Sequence, residues 1–153
     1  MRITAILALA CITIGSANGE WVTLFNGKDF ANFGGAGETE KNGYRVNDGV
    51  IESTPKCRNL VTEKQYADYV LEFEFQLTPG ANNGLGIHYT GDGNPAISVM
   101  EMQKLYNTSD KYKYQKPNPY NGKNNKIAPA QRWHLKQGGE RTAQRVNCRG
   151  PRV

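Results

Sequence analysis

YVLEFEFQL, residues 69–77, alternates without a break. Tyr69, Leu71, Phe73, Phe75 and Leu77 fall on one side; Val70, Glu72, Glu74 and Gln76 fall on the other. Successive side chains of a strand point to opposite faces. The stretch is therefore an antiparallel strand with one face buried and one in water. Working outward, no window of the chain offers apolar residues at helical spacing. Trp21-Val22-Thr23-Leu24-Phe25 alternates and runs into Asn26-Gly27-Lys28-Asp29, a turn signal. Tyr44-Arg45-Val46 and Val50-Ile51-Glu52-Ser53 flank Asn47-Asp48-Gly49, which predicts a hairpin with Asp-Gly at its tip. Leu60-Val61-Thr62 reads as the start of a further short strand, and Gly34 to Gly43 as a loop. Short strands separated by turn signals predict an all-β sandwich.

The first residues have a different character. Met1-Arg2 is a short positive region, and Ile3 to Ile14 is almost wholly apolar. Ala17 and Gly19 then place small residues at −3 and −1 before Glu20. Residues 1–19 read as a secretory signal peptide, with an apolar run too short to span a bilayer. The expectation is a secreted or periplasmic chain with no integral membrane segment. Residues 20–153 suit a single domain. Cys57 and Cys148 leave two readings open, one disulfide or two inert thiols, and neither has a metal-type spacing.

Charge is unevenly spread. Residues 20–103 carry six Lys/Arg against twelve acids, and residues 104–153 carry twelve Lys/Arg against Asp110 and Glu140. A basic, tyrosine-rich end could meet an anionic surface. An exported chain without a nucleic-acid motif argues against nucleic acid as partner.

Residues 80–103 read GANNGLGIHYTGDGNPAISVMEMQ. A small polar turn, Gly80 to Gly84, feeds a strand carrying His88, and a second strand presents Glu101 and Gln103. Alternation puts Val99, Glu101 and Gln103 on one face, with Met100 and Met102 on the opposite, buried face. A carboxylate, a carboxamide, paired asparagines and an imidazole suit a hydroxyl-rich ligand such as an oligosaccharide or glycoside. By pattern alone Glu101 also reads as a solvated sheet-face glutamate, like Glu72 or Glu74.

The order of WVTLFNGKDF, GYRVNDGVIES, LVTEKQYADYVLEFEFQL, GANNGLGIHY and MEMQ resembles the 3-keto-disaccharide hydrolase domain family, also described as a 3-keto-glucoside lyase/hydratase. The resemblance covers essentially all of residues 20–153 and implies a concanavalin A-like jelly-roll sandwich. It implies a sugar chemistry in which a 3-keto group acidifies the C2 hydrogen, a general base removes it, the C1 group leaves, and water adds to the glucal. The family's Asn and Gly correspond to Asn82 and Gly84, and its Glu and Gln to Glu101 and Gln103. Where an Arg is usual, His88 stands. The resemblance thus makes Glu101 the base or a ligand to a divalent metal ion, and Asn82 and Gln103 groups that orient the sugar; by residue type alone, Asn83 joins them and His88 is a second acid/base.

Beyond Gln103 the match erodes. The family's next Asp falls at Tyr106, its later His at Asn121, and an apolar strand at Lys123-Asn124-Asn125-Lys126. A Gly-Glu-Trp-Asn motif appears as Gly139-Glu140-Arg141-Thr142. The expectation is a jelly roll incomplete at its C-terminus, a diverged and poorly ordered 104–153, and impaired catalysis. A non-catalytic, lectin-like sugar-binding module or an inactive truncated paralogue is the alternative.

Overall fold

A computed structural model of the chain describes residues 7–16, 19–34, 41, 43–55, 57–89, 100–106, 136 and 139–150. Eight strands run through them: β1 (Leu7–Ser16), β2 (Trp21–Thr23), β3 (Tyr44–Asn47), β4 (Val50–Ser53), β5 (Tyr69–Leu77), β6 (Asn82–Ile87), β7 (Met100–Leu105) and β8 (Thr142–Cys148). The registered pairings are antiparallel, and the chain is all-β and jelly-roll-like, as the alternation requires. Among the described residues no helix is long and apolar enough to cross a membrane. Val99, His134, Asn121 and Lys123–Lys126 lie outside the described residues.

Two compact units divide the chain. Ala8–Phe75 with Thr142–Val153 holds most of a six-stranded sheet of order β3-β4-β1-β5-β8, with β2 on β1. The strand read first from the sequence keeps its expected bounds. Leu71, Phe73, Phe75 and Leu77 are buried, and Val70, Glu72, Glu74 and Gln76 stay partly exposed. Phe73 and Phe75, two apart on the inner face, hold their rings 6.0 Å apart. Ile12, Ile14, Leu24, Phe25, Phe30, Phe33, Ile51 and Val146 are also buried in this unit. Each such side chain contributes about 1.5–3 kcal/mol when fully withdrawn from water.

The turns follow local chemistry. Asn26 Oδ1 accepts the N–H groups of Lys28 and Asp29 at 2.7 and 3.0 Å, the side-chain turn that Asn-Gly-Lys-Asp predicts. The β3–β4 hairpin closes on Asp48 and Gly49, whose φ values of 48° and 74° are both left-handed. That is the type I′ geometry whose twist matches the flanking strands.

Three features differ from the sequence reading, and one segment, Leu7–Ser16, carries an element in addition to it. β2 is short and its three residues are exposed; burial begins only at Leu24. Leu60–Thr62 yields only an isolated bridge, Thr62 to Phe33. Leu7–Ser16, read as part of a leader, is a strand in the sheet. Thr142–Cys148, where no element was expected, pairs with β5 over Tyr69↔Cys148 through Phe75↔Thr142. Its inward positions end in buried Val146 and Cys148, and Arg145 meets Glu72 at 3.1 Å on the outer face. The two cysteines are free thiols. Burial pushes the Cys148 thiol up, so the inert-thiol reading holds for it.

Candidate functional site

Gln76 onward belongs to the second unit, Met1–Leu7 with Gln76–Arg141. Its candidate site is the β6–β7 hairpin. Thr78-Pro79-Gly80-Ala81 makes the turn into it: Ala81 N–H donates to Thr78 O at 3.0 Å, and Gly80 has φ 77°. Proline second and a left-handed glycine third are the requirements of a type II turn. The turn ends there, so Asn82, Asn83 and Gly84 are already strand, not the turn residues their types suggested.

The register pairs Asn82 with Leu105, Gly84 with Gln103 and Gly86 with Glu101. Residues opposite each other across a ladder share a face. One face therefore carries Asn82, Gly84, Gly86, Glu101, Gln103 and Leu105. The other carries Asn83, Leu85, Ile87, Met100, Met102 and Lys104. The alternation expected for Glu101 and Gln103 is present, but its burial is not as expected. Met100 and Met102 are only half-buried, whereas Gln103 is 6% exposed.

The two glycines explain where Glu101 lies. A Cβ built on Gly84 would stand 2.5 Å from both Cγ and Cδ of Glu101, so the side chain runs diagonally across the bare Cα of Gly84. Directly opposite Glu101 is Gly86, again without a side chain. Glycine in a strand marks a close approach of this kind. The Asn-x-Gly…Glu-x-Gln pattern is thus a steric unit: Gly84 makes the room that Glu101 occupies.

Gln103 is held on two sides. Its Nε2 donates to Asn83 O at 2.8 Å and to Asn82 Oδ1 at 2.6 Å. A backbone carbonyl can only accept, so the amide orientation of Gln103 is decided by Asn83 O. Asn82 must then turn Oδ1 towards Gln103, and its Nδ2 is the end able to donate to a ligand. Asn82 is exposed, Gln103 buried. Asn83 departs from the expected set: it stands on the Lys104 face and its Oδ1 accepts Gly84 N–H at 2.7 Å. His88 follows the last residue of β6, is exposed, and has φ 59°. A left-handed histidine ends the alternation, so no face can be assigned to it from strand register.

Lys104 is the residue that sequence reading missed. It is 2% exposed, and its Nζ donates to Met102 O at 3.4 Å. Burial pulls its ammonium down to about 8, partly opposed by the charge of Glu101. The signal was available as a lysine at a strand position between Gln103 and Leu105, but a lysine usually reads as solvated. Among the described residues no three His, Cys, Asp or Glu converge on a point. Among the described residues of the hairpin Glu101 is the only carboxylate, and Asn82 Oδ1 is engaged by Gln103. A divalent ion takes six or more oxygens with several anionic, more than these described residues offer by themselves.

No curated protein and no solved structure matches the chain significantly. Residues 20–153 match the 3-keto-alpha-glucoside-1,2-lyase-like domain, the whole stretch that carries Asn82, Gly84, Glu101 and Gln103. The chain belongs to the family of 3-keto-alpha-glucoside-1,2-lyase-like domains.

Proposed function

We propose that this chain is an exported carbohydrate-active protein that cleaves 3-keto-glycosides by elimination and hydration, with Glu101 as general base. The placement of Glu101 carries the reading. Its carboxylate lies across a glycine-lined strip with the Gln103–Asn82 pair beside it. Any larger residue at 84 would displace the base.

The chemistry asks little more of the chain. A 3-keto group acidifies the C2 hydrogen. Glu101 takes that proton, the electron pair forms the C1–C2 double bond, and the bond from C1 to the leaving group breaks with its electrons on the departing oxygen. Water then adds across the double bond, hydroxyl to C1 and proton to C2. Asn82 Nδ2 donates to a sugar oxygen, and Gln103 holds Asn82 in the orientation that allows it. His88 stands beyond the end of β6 as a candidate to protonate the departing oxygen. Nothing in this sequence of steps is routed through a metal.

A lectin-like, non-catalytic reading is the alternative, since His88 lies outside the strand and its register does not set it beside Glu101. The two readings part in one assay. The chain is incubated with a chromogenic 3-keto-glucoside, with and without chelator, and aglycone release is followed. Turnover that Glu101→Gln abolishes supports the enzyme. Saturable binding without turnover supports the sugar-binding module. Turnover unchanged in Glu101→Gln would remove Glu101 from the chemistry. Turnover lost only with chelator would bring a metal into it.

A further inference from the structure

We propose that Leu7–Ser16, the segment that reads as an export leader, stays in the folded protein as a self-complementing strand, and that residues 20–153 alone leave the sheet one strand short. β1 is hydrogen-bonded between β4 and β5 in the middle of the six-stranded sheet, and it pairs with β2 as well. The family match begins at residue 20. A central strand of the sheet therefore comes from outside the matched domain.

The segment is fitted to its place at several points. Ile12 and Ile14, two apart on one face, are 6% and 4% exposed. The carbonyl of Ile12 accepts Leu24 N–H at 2.8 Å and Phe25 N–H at 3.3 Å, which carries the contact past the end of β2. Gly15 stands opposite Trp21. A Cβ at Gly15 would come within 3.0 Å of Trp21 Cε2, so the indole uses the space that glycine leaves. Backbone pairing fixes Ala8 against Glu52 and Leu9 against Ile51 of β4. Without β1 the facing edges of β4 and β5 would lose their partners, and Ile51, fully buried, would lose its register neighbour. Unpaired strand edges beside buried apolar groups are costly and prone to capture another strand. A leader and an interior strand both require an uncharged apolar run, so one segment can serve as both.

Hydrogen exchange read by mass spectrometry on the full chain tests this, together with the intact mass of the chain isolated from its producing cell. The expected result is that amides of Leu7–Ser16 exchange as slowly as those of Tyr69–Leu77, and that the isolated mass includes Leu7–Ser16. Ile12→Asp in the full chain should release protection from Val50–Ser53 as well as from β1. Val22→Asp, at an exposed position of β2, should leave Val50–Ser53 protected. Exchange of Leu7–Ser16 at the rate of unstructured chain overturns the proposal. So does an isolated chain that begins at Glu20 yet protects Val50–Ser53 as fully as the full chain. Catalytic turnover enters neither readout, so this result is independent of the sugar chemistry.

Discussion

Gly84 has no side chain, yet it decides whether Glu101 can lie where it does. Alanine there would drive a methyl into the Cγ and Cδ of Glu101, at 2.5 Å from each. Glu101 must then rotate away from the strip. Gly84→Ala is therefore expected to lower turnover or sugar affinity by about 100-fold, on the scale of a misplaced catalytic group, while circular dichroism stays unchanged. Wild-type activity in that variant would show that Glu101 does not work from this position. Gln103 makes a second case. Gln103→Leu removes the donor to Asn82 Oδ1 and Asn83 O at a part-buried position. A loss of about 1–3 kcal/mol is expected in urea unfolding, with weaker sugar binding because Asn82 is no longer oriented. A variant as stable as wild type would mean that water replaces the amide. The residue types of this site were legible in the chain, but their partnership was not. Only the register, Gly84 opposite Gln103 and Gly86 opposite Glu101, reveals which glycine serves which side chain.

Among the elements, those with strong local chemistry were legible and those supported by pairing alone were not. β5 declares itself through nine alternating residues, and the β3–β4 hairpin through Asp48-Gly49. β8 alternates too, but its inward face offers only Val146 and Cys148 as apolar groups, and the long β5 edge supplies what its composition lacks. β1 carries a pattern with two physical meanings, and sequence alone supports the leader. The hairpin allows a direct check. Gly49 has φ 74° and open space around its Cα, so a substitution there costs backbone strain alone. Gly49→Val is expected to destabilise by roughly 1–2 kcal/mol, the cost of forcing a residue with a Cβ into the left-handed region. An unchanged urea midpoint would show that the tip adapts. The same hairpin is acid-sensitive. Asn47 first, then Arg45, hydrogen-bond the Glu52 carboxylate and hold it below its ordinary value. A carboxylate lowered by folding stabilises above its unfolded pKa and loses that contribution as pH falls through the folded one. Glu52→Gln should flatten the acid limb of the stability curve below about pH 5; an acid limb identical to wild type would assign the sensitivity elsewhere.

At the scale of the whole molecule, Lys104 sets a stability that should rise in alkali. Burial holds its ammonium near 8 rather than 10.5. Below about 8 the lysine is charged both folded and unfolded, and the fold carries the full desolvation cost, on the order of 3 kcal/mol. Between about 8 and 10.5 the unfolded chain holds a proton that the folded chain has released. Stability rises with pH wherever the unfolded state binds more protons, so the cost fades across that window. The formal charge of +5 also falls as the remaining lysines titrate, which relieves self-repulsion and acts in the same direction. Lys104→Met separates the two effects, because it replaces the amine with an apolar chain of similar length in the same buried slot. The variant is expected to be more stable than wild type at pH 7, by up to about 3 kcal/mol, and to converge with it near pH 10. Urea midpoints measured at pH 7, 8.5 and 10 would show it. A Lys104→Met chain less stable than wild type at pH 7 would mean that the ammonium's attraction to Glu101 outweighs its burial.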